Sequence, residues 1–566
     1  MQNEIGRLSH CQLAVASSCS SQRRLVFLSV TASYSHTNLA AWILRAYAER
    51  AGAPRVLRGW RWHEVEMTQN DSLHAALIRL VRLRPAVLAT TVYLFNRAFL
   101  LSLLSRFKAL CPQCRIVAGG PEFLGDNREF FRQFPFVDAV IRGEGEIALA
   151  DWLSRLARPK SWPAVPGFCG VVNGRYVDNG LAAITARLDD IPSPYAARLE
   201  AFRKPFILLE TSRGCANRCA FCTSAGVPVR TVSTDRIRRD LRLISAHGVP
   251  EVRLVDRTFN DRPVRCLPLI RMFRDKFKGL RFHLEIDPAR MTPAILDELA
   301  AVAPGRFHLE VGVQSLNPAV LRALRRQGTA RRLLKGTVQL CALRNLEVHV
   351  DLIAGLPGAM LGDVFHDLKI MIPLNPGEIQ LEMLKLLPGT RLACERDRWQ
   401  MVAAPQPPYE VLQTSTMSAA EMDAARKLSN LVDWFFNVAE LRQVILLATR
   451  IMPRFWEDLV MTCERIQESP FAPSLENRFR WLDGVFQGKA VSLIHALHYA
   501  WLKYGFSAQH GICPTRVWKE PVPGNAMLIE GSAGEKGARR FMAQLDHATL
   551  FVYGRDRRAA AIYRLP

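Results

Sequence analysis

The apolar positions change their period along the chain, and the changes divide it. From residue 24 to 158, short runs rich in β-branched residues (LVFLSV, PRVLRGWRW, AVLATTVYL, RIVAGG, FVDAVIRG) alternate with stretches of helical period (TNLAAWILRAYAERAG, DSLHAALIRLVRLR, AFLLSLLSRFKALC, EIALADWLSRLA). Strands alternating with helices of roughly 10–15 residues make βαβ units, and these predict a parallel sheet with helices on both faces. The expected domain is α/β, doubly wound and Rossmann-like, with its ligand at the carboxyl ends of the strands. Residues 159–200 gather Pro and Gly (SWPAVPGFCG, IPSPYAA) and read as a linker holding one small hairpin.

A second alternating series runs over residues 201–395, with strand candidates FILLE, EVRLVD, RFHLEID, RFHLEVGVQ, EVHVDLIAG and EIQLEMLK. Six βα units predict a partial (β/α)6 barrel whose site lies at the carboxyl mouth of the strands. Residues 396–566 then take helical period, strongest from AAEMDAARKLSNLVDWFF onward, and predict a mainly helical third domain. Its aromatic residues Trp434, Phe435, Phe436, Phe455 and Trp456 stand at helical spacing, which favours a core over a substrate pocket.

Composition sets limits on this picture. A chain of 566 residues is too long for one hydrophobic core, so several domains are required. Its apolar runs stop far short of the roughly 18–20 residues that span a bilayer, so no membrane association is expected. Residues 1–23 lack the apolar segment of a secretion signal and read as a loose extension. Thirteen cysteines, an odd number, point to a reducing compartment and a cytoplasmic location rather than a disulfide framework. The net charge of +23 fits either an anionic partner or a solvated Arg-rich surface. No nucleic-acid motif accompanies it and the basic runs (RRLLK, RIRRDLR) are short helix faces, so the solvated surface is the simpler reading, while a nucleic-acid-modifying role is the variant that the charge keeps alive.

The stretch that carries chemistry is TSRGCANRCAFCTSAG, just after the first barrel strand, with Cys215, Cys219 and Cys222 spaced CxxxCxxC. Three thiolates on a loop can each take one iron of a [4Fe-4S] cube and leave the fourth open to a substrate. Zinc, which normally asks for four ligands, and three unrelated thiols are the other readings. Cys111 and Cys114 form CPQC at a helix end and have no further ligands to complete a second metal site.

With these motifs the chain resembles the radical SAM enzymes over residues 201–395. The resemblance implies that Cys215, Cys219 and Cys222 bind the cluster and that its open iron holds S-adenosylmethionine. It places Phe221 as the aromatic residue before the last cysteine. LVDRTFND supplies Asp256, LEIDP supplies Glu285 and Asp287, and LEVGVQSLN is similar to the family's ExGxQS strand (Glu310, Gly312, Gln314, Ser315). DLIAGLPG resembles its glycine-rich fifth strand (Asp351, Gly355, Pro357, Gly358).

The first domain then resembles the cobalamin-binding domains fused ahead of such barrels. VAGGPE (Gly119, Gly120, Pro121, Glu122) and IRGEGE (Gly143, Glu144, Gly145, Glu146) carry the likeness, and glycine there lets backbone approach a bulky flat ligand. The cobalt-binding DxHxxG pattern is altered: His36 is kept in YSHTNL, but Tyr34 replaces Asp and Leu39 replaces Gly, which removes the partner that would orient the imidazole. The C-terminal region resembles an uncharacterised domain found in B12-binding radical SAM proteins. Together these resemblances imply a cobalamin-dependent radical SAM methyltransferase acting on an unactivated carbon of a small molecule or peptide. A flavodoxin- or ferredoxin-type protein would be the electron donor. Radical cyclisation, ring contraction or oxidative rearrangement with the same cofactors, and a non-catalytic cobalamin or redox sensor, are the alternatives. No catalytic residue is singled out.

Overall fold

The computed structural model describes residues 23–50, 60–195, 203–463, 472–507, 510–523, 525–531, 539–553 and 558–565. The expected N-terminal extension lies outside them, apart from Arg23. The chain forms two compact units, the first ending at Ile184.

The first unit is built on strands β1 (Arg23–Thr31), β2 (Trp60–Thr68), β3 (Val87–Thr91), β4 (Arg115–Gly119), β5 (Ala139–Ile141), β6 (Phe168–Val172) and β7 (Arg175–Asp178). They lie in the order β2-β1-β3-β4-β5-β6-β7. The first five pair in parallel. Helices α1 (Leu39–Arg50), α2 (Leu73–Leu83), α3 (Arg97–Leu110), α4 (Arg128–Gln133) and α5 (Gly145–Ser154) connect them. The continuous burial of Leu25–Val30 and of all of β3 is what a parallel sheet covered on both faces requires. The hairpin expected in the linker is β6–β7, and it extends this sheet antiparallel to β5. A strand order of 2-1-3-4-5 has its switch point between β1 and β3. Asn96 closes that point, donating to the carbonyls of Val30 at 2.9 Å and Thr91 at 3.2 Å.

In the second unit, β8 (Ile207–Leu209), the short pair β9 (Ser212–Arg213) and β10 (Arg230–Thr231), β11 (Glu251–Leu254), β12 (Arg281–Ile286), β13 (Phe307–Gln314), β14 (Glu347–Ala354) and β15 (Glu378–Met383) follow in sequence. β8 and β11–β15 form one parallel sheet in chain order, with β8 and β15 at its edges. Helices α6 (Thr234–Ala246), α7 (Pro263–Lys276), α8 (Pro293–Ala300), α9 (Pro318–Ala323), α10 (Ala330–Ala342) and α11 (Leu361–Met371) intervene. Alternation with period two sorts each strand: Phe282, Leu284, Phe307, Leu309, Val348, Val350, Ile379 and Leu381 are buried, and the polar residues between them are half-exposed on the opposite face. The β15 edge is blocked by Asn437, whose amide oxygen accepts from the Ile379 N–H at 3.0 Å while its nitrogen donates to the Ile379 carbonyl at 2.9 Å.

Beyond the barrel, α12 (Arg391–Cys394) and the hairpin β16 (Val402–Ala403)–β17 (Val411–Gln413) lead into α13 (Ala419–Leu431), α14 (Ala439–Ile451), α15 (Phe455–Thr462), α16 (Leu475–Phe486) and α17 (Val491–Lys503). Phe435, Phe436, Phe455 and Trp456 are fully buried, so they are core, and Trp434 is half-buried. The helical expectation does not extend to the end of the chain. Residues from Thr515 onward form an antiparallel sheet, β18 (Thr515–Val517), β19 (Met527–Gly531), β20 (Arg539–Gln544), β21 (Ala548–Tyr553) and β22 (Ala559–Arg564), in the order β18-β20-β21-β22-β19. Runs such as ATLFVY are aromatic and β-branched over six residues, too short to show helical period and well suited to a pleated surface. Among the described residues no helix is long and apolar enough to cross a membrane.

Candidate functional site

The three cysteines lie on the loop between β9 and β10, at the carboxyl end of β8, and the loop is pinned at its base by Asp256. That carboxylate is fully buried. It accepts from the Thr211 N–H at 2.8 Å, the Ser212 N–H at 2.9 Å and both their hydroxyls at 2.6 Å, and it pairs with Arg265 at 2.8 Å. Gly214 follows with φ of +100°, where a Cβ would stand 2.4 Å from the Pro228 carbonyl, so only glycine can turn the chain there. The far side is tied by Cys215 N–H to the Val227 carbonyl (3.0 Å) and Gly226 N–H to the Asn217 carbonyl (2.9 Å). In the middle, Ala220 donates to the Leu324 carbonyl and accepts from the Leu392 N–H, each at 2.8 Å. The Asn217 side chain donates to Asp287 at 3.0 Å, and Asp287 also accepts from Arg290 at 3.2 Å.

Each thiol has a donor or hydroxyl beside it. The Thr258 hydroxyl lies 3.5 Å from Cys215 Sγ, Arg326 donates to Cys219 Sγ at 3.6 Å, and the Ser224 N–H donates to Cys222 Sγ at 3.4 Å. Burial pushes the thiols of Cys219 and Cys222 up, against the pull of Arg326 on the first and of the Ser224 N–H and Arg257 on the second. The charges of the three cysteines act on one another. Among the described residues no set of three His, Cys, Asp or Glu converges at single-ion spacing. A cube takes one iron per thiolate and needs no such convergence. Donors aimed at the sulfurs suit an anionic cluster.

The polar face of the barrel strands carries a layer of imidazoles under a layer of carboxylates. His283 stacks on His308 with ring centres 4.6 Å apart, and His349 meets His308 edge-on at 5.9 Å. Glu285 and Glu310 are register partners on β12 and β13. Glu310 accepts from His283 at 2.9 Å, and this bond holds its carboxyl below the usual range. Burial pushes Glu285 up to about 7, opposed by Arg257 at 3.9 Å and reinforced by Glu310. Burial likewise pushes Asp351 up to about 8, reinforced by Glu310, Glu285 and Glu382. Glu285 also acts on Cys222, so the acidic layer reaches the cysteine loop.

In the first unit, glycines end the central strands. Gly119 is the last residue of β4, and Gly120 has φ of +113° with its would-be Cβ 2.5 Å from the Val92 carbonyl. Gly143 follows β5, Glu144 caps α5 and Gly145 begins it. A Cβ on Gly143 would stand 3.1 Å from the Ala182 nitrogen and one on Gly145 3.1 Å from Leu44, so these glycines let the chain pack closely on itself at this carboxyl edge. Glu122 is engaged with Arg97 at 2.9 Å. His36 follows β1 on a loop, Ser35–Thr37, that clusters with the second unit, its Nδ1 3.4 Å from the Ser35 hydroxyl.

Residues 209–369 match the radical SAM superfamily, residues 25–153 match the B12 binding domain and residues 397–469 match a domain of unknown function. The chain carries a radical SAM domain and a B12-binding domain. The 2-(S-pantetheinyl)-carbapenam-3-carboxylate methyltransferase of Streptantibioticus cattleyicolor is 29% identical over 269 residues, 45% of this chain and 38% of that protein. The chain thus spans less than two-fifths of the length of that relative. The radical S-adenosylmethionine methyltransferase TsrM from Kitasatospora setae, solved with cobalamin and a [4Fe-4S] cluster, superposes with a TM-score of 0.55 at 18% identity, covering 71% of this chain and 81% of TsrM. OxsB, a cobalamin-dependent S-adenosylmethionine radical enzyme solved with aqua-cobalamin and S-adenosylmethionine, superposes with a TM-score of 0.60 at 14% identity, covering 85% of this chain and 79% of OxsB. The two superpositions share the fold.

Within this radical SAM fold the expected site residues separate into two groups. Glu285, Glu310 and Asp351 share the polar face of the barrel strands beside the cysteine loop. Asp256 and Ser315 are committed elsewhere: Asp256 to the loop base, and the Ser315 hydroxyl to Asp367 at 2.8 Å. Gln314 ends β13 with φ of +69° at a break in the β13–β14 register, a strained position of the kind found at functional sites. Phe221 is half-buried on the loop, and Gly355 follows β14 beside Met422 of α13. Sequence reasoning missed Arg257, Thr258, Arg326 and the three histidines. The histidines were visible in the pattern FHLE, FHLE, VHVD on successive strands; Arg326, in LRRQG, had no such signal.

Proposed function

We propose that the chain is a cobalamin-dependent radical SAM methyltransferase that methylates an unactivated carbon of a small-molecule or peptide substrate. The observation carrying this reading is the cysteine loop itself: three thiols, each with a donor or hydroxyl beside its sulfur, at the mouth of a barrel whose polar strand face is acidic, in a chain that also has a B12-binding domain. When bound, the cluster supplies the electron that cleaves S-adenosylmethionine, and methylated cobalamin supplies the methyl group.

The chain's own residues have separable tasks. Cys215, Cys219 and Cys222 hold the cluster, while Asp256 and Asp287 fix the loop that presents them. Glu285, Glu310 and Gln314 line the place for S-adenosylmethionine, where the two glutamates suit its ammonium and sulfonium charges and the amide of Gln314 offers a donor and an acceptor. Phe221 and Gly355 bound that place. Gly119, Gly120, Gly143 and Gly145 shape the carboxyl edge of the first sheet, where the corrin would lie, with Glu122 and Glu144 beside them; His36 is a further cofactor-binding residue. Electrons come from a flavodoxin- or ferredoxin-type donor. The test is anaerobic reconstitution with iron, sulfide and hydroxocobalamin, reduction, addition of S-adenosylmethionine and quantification of methylcobalamin and S-adenosylhomocysteine. Both in equal amounts support methyl loading. Cleavage to 5′-deoxyadenosine without either product turns the reading to another radical reaction.

A further inference from the structure

Arg326 donates to one of the cysteine sulfurs, and nothing in the family motifs assigns it a task. It follows α9 in the turn Leu324–Arg326, where Arg325 has φ of +56° and the Arg326 N–H returns to the Leu321 carbonyl at 3.0 Å. The Leu324 carbonyl of that turn receives the Ala220 N–H of the cysteine loop, one residue from Cys219. One turn therefore both grips the loop and aims the guanidinium. The side chain is only 6% exposed and is held at its far end by the Gly312 carbonyl at 2.5 Å, with Asp287 further off at 3.8 Å. Its other terminal nitrogen is left to donate to Cys219 Sγ at 3.6 Å.

We propose that Arg326 is a positioning residue for electron entry: its guanidinium donates to the Cys219 thiolate and raises the reduction potential of the cluster held there. The inference rests on the cluster assignment above. Taking up one electron from an external low-potential donor adds a negative charge to the cluster, and no bond to the protein is made or broken. A buried cation fixed against one ligating sulfur favours that more negative state, because in a water-poor site charge is weakly screened. A plain structural ion pair with Asp287 would bring the fork onto that carboxylate; instead the short contacts are to Gly312 and to sulfur.

The experiment uses the full chain, wild type and Arg326→Gln and Arg326→Lys, reconstituted anaerobically with iron and sulfide. Iron and sulfide per chain are measured first. The cluster midpoint is then read by dithionite titration with redox mediators, followed by electron paramagnetic resonance. With iron content equal to wild type, the Gln variant is expected to show about a tenfold lower ratio of reduced to oxidised cluster at a fixed poise, a shift of about 59 mV to more negative potential for one electron. The Lys variant keeps a point charge without the fork and should shift the same way by less. A midpoint unmoved in the Gln variant overturns the proposal; if that variant does not retain the cluster, a midpoint unmoved in the Lys variant does so. A wild-type chain that takes up no cluster overturns the cluster assignment itself, and iron content tells the two failures apart.

Discussion

Replacing Asp256 by Asn tests how the cysteine loop is held. The substitution keeps the shape and removes one charge. The amide oxygen can still accept from the Thr211 and Ser212 N–H groups at the position of Oδ1, where they now lie at 2.8 and 2.9 Å. The amide nitrogen replaces Oδ2, which now serves the two hydroxyls and Arg265. Hydroxyls can rotate to accept; a guanidinium cannot. Arg265, 13% exposed, is left facing a donor. Breaking a buried ion pair by removing one partner costs about 3–5 kcal/mol. For a unit of this size, with an unfolding entropy of about 0.8 kcal/mol/K, that lowers the melting temperature by roughly 4–6 °C. The assay is anaerobic thermal unfolding of the cluster-free chain, paired with iron uptake on reconstitution. Arg265→Met alone should also destabilise, and the double variant should recover about 1–3 kcal/mol of the summed loss, because no orphaned charge remains. A D256N chain within 1 °C of wild type that takes up a full complement of iron would refute the argument that Asp256 sets the loop.

Other outcomes follow from the same geometry. Gly120→Ala places a methyl 2.5 Å from the Val92 carbonyl at φ of +113°, so the first unit should lose about 2–4 kcal/mol and bind hydroxocobalamin at least tenfold more weakly; an unchanged dissociation constant would contradict the proposed corrin site. Asp351, raised to about 8, binds its proton more readily folded than unfolded. Its contribution to stability is therefore present below its unfolded range and is lost as pH rises through about 8. In the cluster-free chain Asp351→Asn should gain on wild type by on the order of 2 kcal/mol between pH 5 and pH 8.5, less than the full shift converts to because the site is partly wet. A difference in melting temperature that stays constant over that range would show that the carboxyl is not held protonated. His283→Leu should raise the Glu310 pKa, whose low value rests first on the His283 hydrogen bond; an unmoved carboxylate signal in an infrared pH titration would count against it.

The main divisions of the fold were legible because period is a strong signal over long stretches. Four of the five parallel strands of the first sheet and the six of the barrel announced themselves by runs between helices, whereas the strand expected at PRVLRGWRW is β2 (Trp60–Thr68), which shares only Trp60–Trp62 with that run because the alternation in WHEVEMT was overlooked. Where elements were short the signal failed: β20–β22 are six residues each, beside long helices whose period dominated the reading. The β6–β7 hairpin was foreseen, but not that it would extend the first sheet, since register is set by tertiary pairing rather than local pattern. At the site, spacing revealed Cys215, Cys219 and Cys222, and motif order pointed to Glu285 and Glu310. What no motif could supply is partnership. Asp256 and Asp287 looked like ligand-binding carboxylates, and each accepts from the cysteine loop, from Thr211 across 45 residues and from Asn217 across 70. Arg326 reaches Cys219 across 107 residues, a contact visible only once α9 is folded against the loop.

The central claim is that three cysteines of this chain carry a cluster that activates S-adenosylmethionine. It is tested most directly by measuring 5′-deoxyadenosine and S-adenosylhomocysteine from reconstituted, dithionite-reduced wild type beside the Cys215→Ala, Cys219→Ala and Cys222→Ala variants, each with its iron content. The account predicts close to four irons per chain and turnover of S-adenosylmethionine in wild type, with both lost in every variant. Wild type at full iron that leaves S-adenosylmethionine intact, or a variant that still consumes it at the wild-type rate, would contradict it.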